Sequence, residues 1–345
     1  MKKPYIIAEV GVNFFDTAKE LNITPLSAAK LYIDKAKENG ANAVKFQSYK
    51  ADTIVSRNSP AYWDLSKEPT LTQHELFQKH DSFNKEEYQE LCNYAKEVDI
   101  DFMSTPFDYE SSDYLYDMID IYKISSSDLS NTPFIRHIAK KGKPIYISTG
   151  AAYISEIEEA VRIIEEEGCN DICIMHCVLS YPTKNKDANL NMIKHLRKIF
   201  PTAKIGYSDH TLPDQSMTIL TTAYLFGAEV IEKHFTLNKN LSGNDHYHAM
   251  DSLDLKKASN NFELLEDIGG SYYKTVLPCE LIPRREARRS LVLTRDIKAG
   301  EILTEKDLIA KRPGTGISPH LIETIIGKKI NVDAKEDTIL TWNMV

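Results

Sequence analysis

Ile205-Gly206-Tyr207-Ser208-Asp209-His210-Thr211 and Val230-Ile231-Glu232-Lys233-His234-Phe235-Thr236 are two short apolar runs that each end in a histidine shortly before a threonine. One helix-length segment separates them, so as neighbouring parallel strands they deliver His210 and His234 side by side at one end of a sheet. Imidazoles held rigidly at adjacent strand ends offer lone pairs to a divalent cation and leave positions open for water and substrate. A lone histidine there reads more simply as a hydrogen-bonded structural residue. The pair, each flanked by acid, points to a metal site.

The same alternation extends outward in both directions. Strands are expected at Ile6 to Val10, Ala43 to Gln47, Phe102 to Ser104, Ile121 to Ile124, Pro144 to Ser148 and Ile172 to His176, with the two quoted runs (Lys204 to Tyr207, Glu229 to Glu232) as seventh and eighth. Helices between them carry start signals: Thr24-Pro25 puts proline at a first helical position, Asn84-Lys85-Glu86-Glu87 is a capping-box variant, and Asn131-Thr132-Pro133 repeats the first device. Ile154, Ile157, Val161 and Ile164 keep helical period, as do Leu255, Ala258, Phe262 and Leu265. Eight strand-helix units predict an α/β protein with a closed (β/α)8 TIM barrel. Such barrels gather their chemistry at the carboxyl ends of the strands. Polar residues do cluster there: Glu9, Lys45 with Gln47, Ser104-Thr105, Lys123 with Ser126 and Asp128, Ser148-Thr149-Gly150, His176, and the two histidine-ended runs.

Composition narrows the function classes. The chain has 345 residues, 42 basic and 50 acidic, for a net charge of −8. That balance argues against sequence-independent nucleic-acid binding, which needs a basic face. Five cysteines, without a Cys-x-x-Cys pair, read as reduced thiols of a cytoplasmic protein. The start, Met1 to Glu9, has too short an apolar stretch for a signal peptide, and no run approaches a membrane span. The segment from Lys50 to Phe83 is long for a strand-to-helix loop and reads either as a substrate-selecting lid or as a packing appendage.

Domain boundaries are expected at 1–270 for the barrel, 271–286 for a linker and 287–345 for a small β-rich domain. That tail contains an internal repeat: Asp296 to Thr304 matches Asp333 to Thr341 at Asp, Lys, Ile, Leu and Thr, which suggests pseudo-symmetry. Lys311-Arg312-Pro313-Gly314-Thr315-Gly316 between the copies is a turn-rich loop.

Lys45 and Lys123, with the hydroxyls of Ser126, Ser148 and Ser208, form a candidate cradle for phosphate and carboxylate oxygens. A strand-end lysine equally suits a Schiff base with a carbonyl substrate, and spacing does not separate the two.

Ile7-Ala8-Glu9-Val10-Gly11-Val12-Asn13, Val44-Lys45-Phe46-Gln47, Ser104-Thr105-Pro106-Phe107, Tyr122-Lys123-Ile124-Ser125-Ser126, Ser148-Thr149-Gly150, His176-Cys177, Tyr181-Pro182-Thr183 and the two histidine runs resemble, in order, the motifs of the sialic-acid synthase family. Arg289-Ser290-Leu291 and Lys311-Arg312-Pro313-Gly314 resemble that family's antifreeze-protein-like (SAF) domain. The resemblance implies condensation of phosphoenolpyruvate with an N-acylated amino hexose, such as N-acetylmannosamine or a diacetamido relative, to a nonulosonic acid and phosphate. It implies that His210 and His234 hold Mn2+ or Mg2+, which polarises the sugar aldehyde. It places Lys45, Lys123, Ser126, Ser148 and Ser208 on phosphoenolpyruvate, Glu9 and Asp128 at acidic positions facing the sugar and water, and Tyr181 and Asp245 in the substrate site. Arg312 matches an arginine that a partner subunit's tail inserts over the acylamino group, which implies a domain-swapped homodimer.

The chain departs from the family pattern at Asn13-Phe14-Phe15, where His-x-Gly usually follows the asparagine, and at Ser125-Ser126-Ser127-Asp128 in place of Gly-Ser-Gly-Glu. It departs again at Leu179, and at Gly243-Asn244-Asp245-His246, followed by Tyr247-His248, in place of Gly-Pro-Asp-His; either His246 or His248 is a candidate to join the metal shell. The competing readings are a Schiff-base aldolase, another phosphoenolpyruvate-dependent sugar-acid synthase, or an inactive sugar-binding barrel.

Overall fold

Eight parallel strands carry the first part of the chain in a computed structural model that describes residues 2–243 and 245–345. Met1, and Asn244 within the departing Gly243–His248 stretch, lie outside the described residues. The strands are β1 (Tyr5–Gly11), β2 (Ala43–Ser48), β3 (Asp101–Pro106), β4 (Tyr122–Ile124), β5 (Ile145–Ser148), β6 (Ile172–Cys177), β7 (Lys204–Asp209) and β8 (Val230–His234). Each falls within about two residues of its sequence expectation. Hydrogen bonding runs in the order β3-β2-β1-β8-β7-β6-β5-β4. β3 and β4 lie beside each other but share no ladder, so the expected closed barrel has one seam that packing alone holds. The reason is local: β4 is only three residues long before Ser125 caps a tight turn over Ser126–Asp128, leaving little edge for β3 to pair with.

Side chains two apart on a strand point to the same side of a sheet. That rule builds the barrel interior in two layers. Ile7, Ala43, Met103, Tyr146, Cys173, Met175 and Val230 form an apolar floor. Two or four residues further along the same strands come Glu9, Lys45, Thr105, Ser148, Cys177, Glu232 and His234. The dry floor shields the polar layer above it from water on one side, which strengthens every charge interaction there.

Helices wrap the outside and bury the other face of the sheet. The Thr24 hydroxyl accepts from the Ser27 amide at 3.1 Å, with Pro25 in the first turn, and Asn84 forms a capping box with Glu87. Asn131 precedes the helix Thr132–Ala139 without a side-chain cap, so Pro133 alone carries that start.

Residues 1–270 and 271–345 form two compact units. In the second, β9 (Ser290–Leu293) pairs antiparallel with β10 (Leu308–Lys311) over a core of Leu291, Leu293, Ile297, Leu303, Ile325, Ile330 and Leu340. The two repeat copies meet at an antiparallel bridge between Ile297 and Ala334. Asp333 accepts from the Lys298 ammonium at 2.7 Å and the Ala299 amide at 2.9 Å; Asp296 accepts from Lys335 and the Glu336 amide at the same distances. The duplication legible in the sequence is thus a reciprocal clasp. Among the described residues, no helix is long and apolar enough to cross a membrane.

Candidate active site

The polar layer lines a pocket of about 70 Å³ at the strand ends. Glu9 and Lys45 are register partners on β1 and β2 and form a buried ion pair. Lys45 also donates to the Thr105 hydroxyl at 2.9 Å, and Gln47 donates to Glu9 at 3.1 Å. Across the pocket, Lys123 donates to the Ser148 hydroxyl at 2.6 Å. Glu232 stands between the lysines, 3.8 Å from each, and accepts from Ser208 at 2.8 Å. Two lysines and two acids therefore share one buried cluster.

Their environments push the two acids apart. Burial, reinforced by Glu232 and opposed by Lys45, raises Glu9 to about 7. Glu232 is equally buried, but Lys123 and Lys45 outweigh that burial and draw it down to about 2. Glu9 is the carboxyl poised to exchange a proton near neutrality, and Glu232 the permanent counter-charge. Burial lowers Lys123, whereas Glu232 and Glu9 hold Lys45 above the ordinary lysine value despite its burial.

His210 and His234 come together as their strand positions require, with ring centroids 5.5 Å apart. His210 Nδ1 lies 2.8 Å from the Val178 carbonyl, to which it donates, an arrangement that leaves Nε2 with a lone pair only in the neutral ring; Cys177 and the Val178 carbonyl outweigh burial and raise His210 above the ordinary histidine value. Just behind the pair, Lys233 and Asp209 form a fully buried ion pair at 2.7 Å. Lys233 also donates to the Thr211 carbonyl, which ties the two histidine-bearing turns to each other. Tyr181 packs on His210 at 4.2 Å.

A metal fits this end of the pocket. Burial holds His234 and His248 well below the ordinary histidine value, so both rings are neutral, the form that binds cations. Among the described residues, His234 Nδ1 and both nitrogens of His248 are buried without a hydrogen-bond partner. Ligand atoms of His234, Asp245 and His248 all lie within 4.8 Å of one another.

A second, larger cavity of about 470 Å³ adjoins the first and shares Gln47, Phe107, Ser125, Leu179, Tyr181 and His234 with it. Its wall includes Asp128 and Asp245, and the Lys50 to Phe83 excursion supplies Ile54, Val55, Tyr62, Trp63, Leu76 and Phe77. Of the residues singled out from sequence, Glu9, Lys45, Lys123, Ser126, Ser148, Tyr181, Ser208, His210 and His234 line the small pocket; Asp128 and Asp245 line the large one. Arg312 belongs to the second unit, following β10 at a cis Arg312-Pro313 bond. The substituted Phe14 and Phe15 do not line either cavity; they pack in the core against Phe46 and Phe83. The sequence places Gln47, Thr105 and Glu232 at strand ends and Cys177 in a motif but assigns none of them a role, although an offset of two residues (four for Gln47) from apolar floor positions was a usable signal.

The NeuB family matches residues 32–274, and the SAF domain matches residues 288–345. The chain belongs to the NeuB family. The chain is 41% identical over 343 residues to an uncharacterized protein of Methanocaldococcus jannaschii, covering 98% of this chain and 94% of that one. It is 37% identical to N,N'-diacetyllegionaminic acid synthase of Campylobacter jejuni, with 99% of each chain covered. Among solved structures, N-acetylneuraminic acid synthetase of Leptospira borgpetersenii in complex with citrate superposes with a TM-score of 0.69 at 31% identity, covering 82% of this chain and 90% of that one. The resemblance read from the motifs thus holds over nearly the whole chain, and this NeuB-family barrel carries its polar layer on the strand ends where the motifs lie.

Proposed function

We propose that the chain is a nonulosonic acid synthase that joins phosphoenolpyruvate, an N-acylated amino hexose and water, and releases phosphate. The observation that carries this reading is the pair of adjoining cavities meeting at Tyr181 and His234, one built for a small polyanion and one for a larger neutral partner. Lys45 and Lys123, with Ser126, Ser148 and Ser208, receive the phosphate and carboxylate of phosphoenolpyruvate. The sugar occupies the larger cavity against Asp245. No Lys or Arg is among that cavity's described lining residues, and four carboxylates are, so an unphosphorylated sugar suits it better than a 6-phosphate.

In the reaction, C3 of phosphoenolpyruvate attacks the aldehyde carbon of the open-chain sugar, and the aldehyde oxygen takes up a proton. Water then adds at C2, giving a proton to a carboxylate, and the tetrahedral intermediate expels phosphate by C–O cleavage. Glu9 exchanges protons in the small pocket, and Asp128, raised by burial, orients water or the sugar hydroxyls at the boundary. His210 and His234 hold the divalent metal, and a shell rich in imidazole favours Mn2+ over Mg2+. When bound, the cation supplies Lewis acidity at the aldehyde. In this reading residues 1–270 are the catalytic barrel, 271–286 a linker and 287–345 the SAF domain, whose Arg312 serves a neighbouring subunit's sugar in a domain-swapped homodimer. Dependence on phosphoenolpyruvate and the five unpaired cysteines make the cytoplasm its compartment.

The test is phosphate release from phosphoenolpyruvate with Mn2+ and a panel of N-acetylmannosamine, its 6-phosphate and diacetamido-trideoxyhexoses. Activity that disappears in chelator and in folded His210→Ala and His234→Ala proteins supports the assignment; full activity in both variants refutes the metal pair. Burial lowers Lys123, which gives a Schiff-base aldolase its one favourable observation. Borohydride trapping of a carbonyl substrate on Lys123 would establish that alternative.

A further inference from the structure

His248 has no assigned task in the reaction above, yet it is fully buried at the metal end of the site. Its sequence position lies just beyond the point where this chain leaves the family's Gly-Pro-Asp-His pattern. Neither ring nitrogen has a hydrogen-bond partner among the described residues. A buried imidazole kept only for packing loses the hydrogen bonds that water gave it, a cost that an apolar side chain of similar size avoids.

The surroundings indicate what compensates. The His248 ring lies 5.1 Å from that of His234 and 6.4 Å from that of His210, while His210 and His234 are 5.5 Å apart. A metal–nitrogen bond of about 2.1 Å plus the ring's own half-width puts imidazoles that share one cation roughly 5–6 Å apart between centroids. The His210–His234 and His234–His248 separations meet that span, whereas the 6.4 Å between His210 and His248 exceeds it, so a shared cation draws those two rings closer together. Asp245 stands beside the group, 3.8 Å from His234 Nδ1 and 3.9 Å from His248 Nε2, too far for direct hydrogen bonds and close enough to face a common cation.

We propose that His248 is a third imidazole ligand, so that this chain holds its divalent cation with His210, His234 and His248, Asp245 standing beside them. The inference rests on the metal pair proposed above and extends it. Its consequence is a cation bound firmly before either substrate arrives.

Pulsed electron paramagnetic resonance of the substrate-free protein loaded with Mn2+ counts coordinated imidazole nitrogens. Three are expected in the wild type and two in His248→Phe, together with at least a tenfold rise in the Mn2+ dissociation constant. A count of two in the wild type, or an unchanged count in the variant, overturns the proposal; should the variant not fold, the wild-type count decides alone. Two imidazoles with synthase activity intact removes His248 only. Three imidazoles without phosphate release from any sugar keeps His248 and removes the synthase reading.

Discussion

Lys123 reaches the Ser148 hydroxyl and faces Glu232 across the small pocket, so its charge is shared with the protein until an anion competes for it. Hydrogen bonds to charged groups contribute about 1.5–3 kcal/mol each, roughly tenfold to a hundredfold in affinity. Lys123→Met should therefore raise KM for phosphoenolpyruvate by about that factor while the KM for the sugar changes little, as steady-state kinetics with each substrate varied will show. Glu9→Gln keeps the shape and the Gln47 contact geometry but cannot exchange a proton. Its expected effect is a fall in kcat of about 10²–10⁴ in protein that remains folded, with a lower melting temperature because Lys45 loses a buried ion-pair partner; an unchanged kcat would remove Glu9 from proton transfer. Glu232 shows how a residue can stand inside a quoted motif and still be given no role. It sits in the apolar run Val230-Ile231-Glu232, where a buried charge is costly, and that cost was itself the sign of a fixed partner.

At the scale of elements, the excursion between β2 and β3 divides the labour of the site. Trp63 donates from Nε1 to the Glu68 carbonyl at 3.0 Å and faces only the larger cavity. Trp63→Ala is expected to raise KM for the sugar at least fivefold and leave KM for phosphoenolpyruvate within twofold, a split that steady-state kinetics resolves. The strands were readable because each is a short apolar run ending in polar residues, and the helices because Thr24-Pro25 and the Asn84 capping box announce them. The β3–β4 seam was not readable, since it depends on how short β4 is and not on any pattern along the chain. The Gly243–His248 stretch was equally opaque: which of His246 and His248 turns toward His234 depends on loop geometry. His246 bonds the Thr236 hydroxyl at 2.8 Å and lies 3.5 Å from Asp16, whereas His248 turns to His234.

Across the whole molecule, the two units are stabilised by different means. The barrel relies on a large apolar core, whereas the small second unit combines a core cluster of nine buried apolar side chains, among the described residues, with local polar braces. One brace is Asp307, which accepts from the Thr304 hydroxyl and amide and from Arg295. Burial alone would raise its pKa, but these donors outweigh it and hold the carboxyl below the ordinary 3.8. A depressed folded pKa means stability that is complete above the ordinary value and lost as pH falls through the folded one. Thermal unfolding of the full chain should therefore show the second unit weakening more steeply below about pH 4 in the wild type than in Asp307→Asn, which starts lower at neutral pH.

The four charges at the barrel mouth make the site an ion exchanger. Glu9 and Glu232 are tethered counter-ions, already seated on Lys45 and Lys123, so an incoming trianion displaces them instead of filling a bare cationic hole. Mobile salt has little part in that exchange, because the competing anions are attached to the protein itself. Glu9, deprived of Lys45, then takes up a proton from solution, and the heat of phosphoenolpyruvate binding near neutral pH should change with the ionisation enthalpy of the buffer.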